Sequence, residues 1–417
     1  MSKRQRWQPV KGTGNRVYET RERLLLGALD LPLRAASGLA RSLGFTRASP
    51  APRLSELRDV LVFRLDRIGD VLMCLPALAA LRAALPDARV RLVVGAWASS
   101  VAEHAPVDEV LVWSAPWVGR PSEGAESATT LLRRAGVLRR TPPDLSLDLQ
   151  GDVRANVLLW LTGARHRVGY ANTGGGGLLT RVVPLDETLP WPEQNQLAVA
   201  TALGWDGASE RGAPAWPASL RDAGRAEAEQ LLAELDLVGR RPLVGIHPSG
   251  GRAIKQWPLA RWAEVAQRLH REHGATILVT GSAADRSLAA DLIRALPESA
   301  RDVSGRLDVN GALALLARLD LFLSPDTGPM HMACAVGVPS VAVFGPSDPG
   351  RYFSGGDPEA TGARHLVVAP ELWCAPCNLI RRPPRECADA EVPACLDQVT
   401  PDAVYAAAAR LLGRPGR

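Results

Sequence analysis

The sequence lacks a membrane-spanning segment and a recognisable secretory signal. None of its 417 residues falls in an uninterrupted apolar run of about 18 residues, so we expect no membrane-spanning helix. The first residues, MSKRQRWQPVKGTGNR, contain no apolar core of the kind that a signal peptide needs. We therefore expect a cytoplasmic protein.

Two nucleotide-binding signatures are also missing. Neither half of the chain carries GxGxxG after its first predicted strand, so NAD binding by the usual fingerprint is not expected. GxxxxGK[ST] is absent as well, which excludes a P-loop kinase.

Charge is distributed unevenly. Residues 1–58 contain 12 Lys or Arg and 4 Asp or Glu, a net charge of 12 − 4 = +8. The whole chain carries +5, so residues 59–417 carry 5 − 8 = −3. A nearly neutral body argues against a nucleic-acid-binding protein. The basic residues belong to an N-terminal extension, and the remaining length predicts two domains.

The extension, residues 1–58, is partly amphipathic. Between residues 19 and 45, leucines recur at roughly helical spacing among arginines, at Leu24, Leu25, Leu29, Leu31, Leu39 and Leu43 and at Arg21, Arg23, Arg34 and Arg41. A helix of this kind binds anionic membrane surfaces, which would place the protein peripherally on the cytoplasmic face of the inner membrane. The alternatives are a helix packed on the protein body and a loosely ordered arm.

From Asp59 onward, short apolar strands alternate with helices. Such alternation predicts an α/β protein with two doubly wound, Rossmann-like domains facing each other across a cleft. We place the N-terminal domain at residues 59–215 and the C-terminal domain at residues 216–417. The Trp- and Pro-rich segment 190–217 is interpreted as the hinge.

A βαβ unit is predicted at LFLSPDTGPMHMACAVGVPSVAVFGPSDP, residues 321–349. Pro325 should stop the first strand, and a helix should start near Pro329. Asp326 and Thr327 stand where side chains cap helices. In the alternative interpretation the free amides of the first turn, with Gly328 allowing close approach and His331 adding a donor, cradle a phosphate.

Two further loops carry polar side chains. Asp70 follows the first strand, where it could cap the next helix or act as a general base at the carboxyl end of a strand. In the second half, Ser249 and Gly250 offer a hydroxyl and an amide, and Lys255 adds a cation. That set suits a pyrophosphate whose departing charge needs neutralising, although most lysines are simply solvated.

Three separated motifs, taken in order, resemble glycosyltransferase family nine, the family of the ADP-heptose:lipopolysaccharide heptosyltransferases. They are IGDVLMCLPALAALR, HPSGGRAIKQWP and SPDTGPMHMACAVGVPSVAVFGPSDPGR. The resemblance implies a GT-B fold that binds the acceptor with the first domain and the nucleotide sugar with the second. It also implies an inverting transferase that needs no cofactor for its chemistry, with ADP-heptose as the expected donor and a lipopolysaccharide-core or related glycan as acceptor.

The resemblance implies functions for individual residues. Asp70 matches the catalytic base, and Lys255 matches a lysine that contacts the donor phosphates. Residues matching the donor site are Ser249, Gly250, Asp326, Thr327, Gly328 and His331. Asp285 stands where relatives often have a glutamate on the nucleoside ribose.

Four of the six cysteines cluster near the end of the chain, at Cys374, Cys377, Cys387 and Cys395. In a cytosolic protein a CxxC-x9-C-x7-C pattern predicts a metal site before it predicts disulfides, and thiolates suit structural zinc or iron. The alternative is a Cys-rich loop without metal.

Other functions remain open at this point. One is a protein O-glycosyltransferase of the autotransporter-heptosyltransferase type. Another is a catalytically silent sugar-nucleotide-binding protein, and a third is a nucleotide-dependent oxidoreductase. Asp70 and Lys255 argue against a silent protein, because binding alone needs no base.

Overall fold

A computed structural model describes residues 51–118, 125–205, 216–357, 362–381 and 383–413. It divides into two compact units, with the boundary between Pro217 and Ala218. The amphipathic segment at residues 19–45 lies outside the described residues. Within the described ranges, no helix is both long enough and apolar enough to span a bilayer.

The N-terminal unit is built on a six-stranded, fully parallel sheet in the order β3-β2-β1-β4-β5-β6. Its strands are β1 (Asp59–Arg64), β2 (Arg89–Val94), β3 (Glu109–Val112), β4 (Leu145–Asp148), β5 (His166–Gly169) and β6 (Arg181–Val182). Its helices are α1 (Ile68–Ala84), α2 (Ser99–Ala102), α3 (Ala128–Leu138), α4 (Val153–Leu161) and α5 (Trp191–Leu203), with 3₁₀ turns at Leu54–Glu56, Ala96–Ala98 and Gly176–Leu178.

The C-terminal unit repeats this topology, with the strand order β12-β11-β10-β7-β8-β9 and parallel pairing throughout. Its strands are β7 (Leu243–Ile246), β8 (Thr276–Val279), β9 (Arg301–Asp302), β10 (Leu321–Pro325), β11 (Ser340–Val343) and β12 (His365–Val368). Its helices are α6 (Arg225–Glu234), α7 (Leu259–His273), α8 (Arg286–Ile293), α9 (Val309–Leu316), α10 (Gly328–Val336), α11 (Pro349–Tyr352), α12 (Arg385–Ala388), α13 (Ala394–Asp397) and α14 (Pro401–Leu412), with 3₁₀ turns at Ala218–Arg221, Ala253–Lys255 and Ala283–Asp285.

In each sheet the strand order reverses its direction between two neighbouring central strands. These are β1 and β4 in the N-terminal unit and β7 and β10 in the C-terminal unit. Ligands of doubly wound sheets bind outside the carboxyl ends of the strands at this reversal. Functional residues are therefore expected in the four loops that follow these strands.

The central strands are apolar on both faces. Val60, Leu61, Val62 and Phe63 of β1 are all fully buried. Helices cover both faces of a parallel sheet, so such strands read as continuous apolar runs. This confirms the predicted α/β fold class.

Helix α1 tolerates an internal proline because two side chains replace its lost hydrogen bonds. Pro76 has no N–H to donate to the carbonyl of Leu72 and disturbs the turn around it. The indole nitrogen of Trp216 donates to Leu72 O at 3.2 Å, and Nδ2 of Asn195 donates to Met73 O at 3.0 Å. The helix that carries Asp70 is thus fixed to α5 and to the end of the N-terminal unit.

A proline and a glycine set the ends of two elements. The first strand of the predicted βαβ unit stops at Pro325, which is the last residue of β10 and pairs with Val343. Helix α6 begins at Arg225, because the preceding Gly224 takes a left-handed conformation with φ of 66°.

Candidate functional site

The C-terminal unit joins its two central loops by an ion pair. Nζ of Lys255, after β7, lies 3.0 Å from Oδ2 of Asp326, after β10, and also donates to the backbone carbonyl of Asp326. The Lys255 and Asp326 side chains are only 17% and 9% exposed. The pair therefore fixes a cation at the carboxyl end of the sheet.

Gln256 braces the loop that carries Lys255, a contact that the sequence did not indicate. Its Oε1 accepts from Gly250 N at 2.9 Å and its Nε2 donates to Pro248 O at 2.6 Å. Gly250 passes so close to the next turn that an added Cβ would lie 2.5 Å from backbone atoms of Lys255. The loop requires a glycine at this position for steric reasons.

The buried side chain of Trp257 holds the same loop against the core. It is fully buried, and its indole nitrogen donates to Val399 O at 3.0 Å. Its ring packs edge-on against Trp262, with centroids 4.6 Å apart. Lys255 therefore extends from a turn that is held rigidly to the core.

Asp285 lies beside the Ser249 loop, as the predicted donor site requires. Its Oδ2 accepts from the amide and the hydroxyl of Ser282, at 2.8 and 2.6 Å. Burial opposes ionisation, but hydrogen bonds from Ser282 and Ser249 lower the pKa of Asp285. The Asp285 carboxylate, which can accept hydrogen bonds from hydroxyl groups, therefore lies next to Ser249. Nearby His247, which the sequence did not single out, is kept neutral because burial lowers its pKa to about 4.

Of the two interpretations of the loop before α10, side-chain capping is wrong. Thr327 is the N-cap residue, but its side chain accepts no hydrogen bond from the helix. Its hydroxyl lies 3.3 Å from Ser324 Oγ, and Asp326 is turned toward Lys255 instead. Among the described residues no side chain caps the N-terminal end of α10, so an anion could bind there.

His331, in the first turns of α10, is 6% exposed. Its Nδ1 lies 2.9 Å from Ser354 Oγ. This contact fixes the imidazole ring within the C-terminal unit.

In the N-terminal unit, Asp70 caps its helix, as one of the two interpretations of this residue predicted. Its Oδ2 accepts from the N-cap amide of Arg67 at 3.2 Å, so the carboxylate caps α1. Its Oδ1 lies 3.4 Å from Nη2 of Arg64, and the side chain remains 33% exposed. A capping carboxylate with this much exposure still has lone pairs available to a ligand.

Asp66 and Asp148 are acidic neighbours of Asp70 that sequence analysis did not assign. Asp148 ends β4 and accepts from the amides of Gln150 and Gly151, both at 2.9 Å. Burial raises the pKa of Asp148 to about 7, against the effect of those amides. Burial also raises the pKa of Asp66, which Arg64 lowers and Asp70 raises. Only the adjacency of β1 and β4 indicates this cluster.

The four clustered cysteines do not surround a common point. Within the described residues, no group of three or more His, Cys, Asp or Glu side chains is arranged to hold a metal ion. Cys395 packs against the loop at Gly345, and burial with the nearby Cys377 raises its pKa to about 11. Cys74 and Cys334 are buried elsewhere in the cores.

The sequence model of glycosyltransferase family 9 (heptosyltransferase) matches residues 132–383. The chain is 27% identical over 301 residues to lipopolysaccharide heptosyltransferase 2 of Salmonella typhimurium, covering 70% of this chain and 83% of the relative. It is 29% identical over 330 residues to lipopolysaccharide heptosyltransferase 1 of Pseudomonas aeruginosa, covering 76% and 85%.

Solved structures share the fold. A glycosyl transferase family 9 structure from Veillonella parvula superposes with a TM-score of 0.69 at 21% identity, covering 87% of this chain and 99% of that one. ADP-heptose lps heptosyltransferase II of E. coli superposes with a TM-score of 0.64 at 22% identity, covering 85% and 98%. The GT-B fold predicted from the sequence is confirmed.

Proposed function

This chain belongs to glycosyltransferase family 9, and from that premise we propose that it transfers heptose from ADP-heptose, with inversion, to a lipopolysaccharide-core or related glycan acceptor. Relatives that match most of its length are lipopolysaccharide heptosyltransferases. E. coli heptosyltransferase WaaC, which shares the fold with a TM-score of 0.59, was solved with ADP-2-deoxy-2-fluoro heptose. We assign the acceptor to the N-terminal unit and the donor to the C-terminal unit.

The ion pair between Lys255 and Asp326 is the observation that supports the donor site most strongly. The leaving group of the reaction is a nucleoside diphosphate, whose departing charge must be neutralised. Lys255 is also the only lysine after residue 11, in a chain whose 49 cationic residues include 49 − 3 = 46 arginines. A compact ammonium on a flexible stem can move from Asp326 to a phosphate, which a planar guanidinium does less readily.

The remaining donor contacts follow from position. The uncapped end of α10, with Thr327 and Gly328, is proposed to hold the diphosphate, and His331 to fix the geometry of that turn. Asp285 is proposed to accept from a ribose hydroxyl, since its carboxylate already accepts from hydroxyl groups. Ser249 and Gly250 complete this side of the site.

Asp70 is proposed to be the general base. It takes the proton of the acceptor hydroxyl as that oxygen bonds to the anomeric carbon. The bond between the anomeric carbon and the phosphate oxygen breaks at the same time, and its electron pair leaves with ADP. Attack opposite the leaving group inverts the anomeric configuration.

The test is Asp70→Asn, assayed with ADP-heptose and a heptose-deficient lipopolysaccharide core. We expect normal donor affinity and a transfer rate reduced at least a hundredfold, because one general-base contribution is lost. Full transfer by the variant would show that another group is the base. If mass spectrometry found heptose only on serine or threonine of a partner protein, the glycan acceptor would be wrong and the protein O-glycosyltransferase correct.

We also propose that the protein is cytoplasmic and binds the inner membrane peripherally through residues 19–45. The support is the basic and apolar pattern of that segment. A lipid-linked acceptor would be concentrated at such a surface.

A structural zinc or iron ion at Cys374, Cys377, Cys387 and Cys395 is a separate proposal that rests on their spacing. Burial and the neighbouring charges of Glu386, Cys377 and Cys374 raise the pKa of Cys387. Metal binding would therefore have to release protons and draw the loop together.

A further inference from the structure

Arg64 is a buried cation beside the proposed base. It ends β1, and only 2% of its surface is exposed. Its Nη1 donates to Leu149 O, and its Nη2 lies 3.4 Å from Asp70 Oδ1. Its Nε lies 3.6 Å from Asp66 Oδ2, too far for a hydrogen bond, and this buried nitrogen has no hydrogen-bond partner in the described structure. A charge so placed needs compensation by nearby anions.

Groups from every adjoining element face this guanidinium. On the aromatic side, the Trp191 ring centroid lies 6.0 Å from its Cζ, and Tyr170 directly follows β5. On the β4 side stands Asp148, and Cys74 approaches from α1. Asp66 comes from the loop that follows β1, and Asp70 from the first turn of α1.

Most of these neighbours already have other partners. Asp148 accepts from two backbone amides. Asp152, farther along the β4 loop, forms a pair with Arg154, with Nη2 2.6 Å from Oδ2. Asp66 and Asp70 are the acidic side chains within 4 Å of Arg64, and Asp70 is the closer of the two.

Resting on the assignment of Asp70 as the base, we propose that Arg64 is a positioning residue that fixes the direction of the Asp70 carboxylate and places a positive charge beside it. The carboxylate of Asp70 is held at both oxygens, Oδ2 by the amide of Arg67 and Oδ1 by Arg64. Rotation about its side-chain torsions is thereby restricted. One-third exposure leaves it open toward an acceptor hydroxyl.

The experiment compares pH profiles of kcat/KM for heptose transfer by Arg64→Met, Arg64→Lys and Asp66→Asn. Removing the cation makes a nearby carboxyl group harder to ionise, so the acid limb of Arg64→Met should move upward by about one pH unit or more. Arg64→Lys keeps the charge, so its limb should stay near the wild-type position while kcat falls. Burial raises the pKa of Asp66, so Asp66→Asn exchanges one neutral group for another and its limb should stay near the wild-type position.

Arg91→Met is the matched control. Arg91 is also a buried arginine of the same sheet, and its Nε and Nη2 contact the carboxylate of Asp59 at 3.0 and 2.7 Å, at the opposite end of β1. We expect this variant to lose stability without a shift of the acid limb. If Arg64 only stabilised the fold, Arg64→Met would likewise lose stability without a shift of the acid limb.

An unmoved acid limb in Arg64→Met would overturn the proposal. If that variant did not fold, an unchanged kcat in Arg64→Lys would overturn it equally, because an ammonium cannot reproduce the contacts of the guanidinium. Asp70→Asn distinguishes a failure of the proposed base from a failure of the proposed positioning function. Full activity in that variant would refute the base itself, whereas an inactive Asp70→Asn with an unmoved limb in Arg64→Met would refute only the positioning function.

Discussion

The ammonium of Lys255 lies 3.0 Å from the carboxylate of Asp326, although 71 residues separate them in the chain. The contact exists because β7 and β10 are neighbours, so that the loops following them end side by side. The cation is oriented before any ligand binds, and a donor phosphate bound as we propose would have to compete with Asp326 for it.

Lys255→Ala should weaken donor binding and slow transfer together. Loss of one charge-assisted hydrogen bond costs about 1.5–3 kcal/mol, or roughly 10- to 150-fold in affinity for ADP measured by calorimetry. Arg252→Ala is the control, since it removes an exposed cation of the same loop and should change affinity less than about twofold. Unchanged affinity in Lys255→Ala would remove this residue from the donor site.

Thr327→Ala should affect ligand binding more than stability. Because the Thr327 side chain does not cap α10, its loss should lower the free energy of unfolding by less than about 0.5 kcal/mol. Thr400, which caps α14 by accepting from Ala403 N, should lose about 1 kcal/mol on the same substitution. Urea denaturation compares the two variants. Equal losses would mean that Thr327 is a cap after all.

Asp148→Asn should become more stable relative to the wild type as pH rises. Burial raises the pKa of Asp148 to about 7, whereas in an unfolded chain it is about 3.9. Between these values the folded protein retains a proton that the unfolded chain has released, so wild-type stability falls with rising pH. The asparagine lacks this titration, so the difference in unfolding free energy should shift by about 2–3 kcal/mol between pH 5 and pH 7.

Asp144→Asn controls for lost hydrogen bonds in that comparison. Its carboxylate also accepts from two backbone amides, those of Arg58 and Asp59, at 2.7 and 2.9 Å. A stability difference for Asp148→Asn that is the same at both pH values would show that the buried carboxyl does not retain its proton.

Deletion of residues 1–45 should release the protein from vesicles that contain anionic lipid. Each basic residue near such a surface contributes about 1 kcal/mol. Replacing Arg21, Arg23, Arg34 and Arg41 with serine should therefore reduce binding in sedimentation assays, and added salt should reduce it further. Transfer to a soluble acceptor should be unaffected by the deletion. Vesicle binding that survives it would place membrane contact elsewhere.

Protein purified without added metal should contain about one zinc or iron ion per chain if the four clustered cysteines bind one. Elemental analysis measures this, and replacing Cys377 and Cys387 with serine should abolish it. Because burial raises the pKa of both Cys387 and Cys395, binding should weaken as pH falls. Protein free of metal would retire the proposal.

Much of the fold was predictable because local rules and tertiary packing agree. The strands near residues 60–64 and 340–344 are apolar runs between Gly- and Pro-rich loops, as strands buried on both faces must be. Gly274 ends α7 in the left-handed conformation at φ of 65°, as a glycine directly after a helical pattern usually does. The three motifs and their order indicated the family, and the family implied the GT-B fold.

The capping interpretation of the loop before α10 failed because it considered only neighbours in sequence. Asp and Thr before a helix usually cap it, but a lysine 71 residues away attracts the carboxylate of Asp326 more strongly than the amides of α10 do. Gln256 was overlooked for a related reason. Its amide has no local signature, and its bracing contacts with Gly250 and Pro248 appear only once the loop is closed.

The sequence by itself determined two doubly wound units, the loops that carry polar side chains and the family. It did so through apolar runs, Gly and Pro punctuation and motif spacing, all of which are local. Only the tertiary structure decided which charges meet. It set Lys255 against Asp326 and gathered Asp66 and Asp70 around Arg64, near the end of β4. Strand order determines which loops lie side by side, and the strand order is set only when the helices have packed on the sheet.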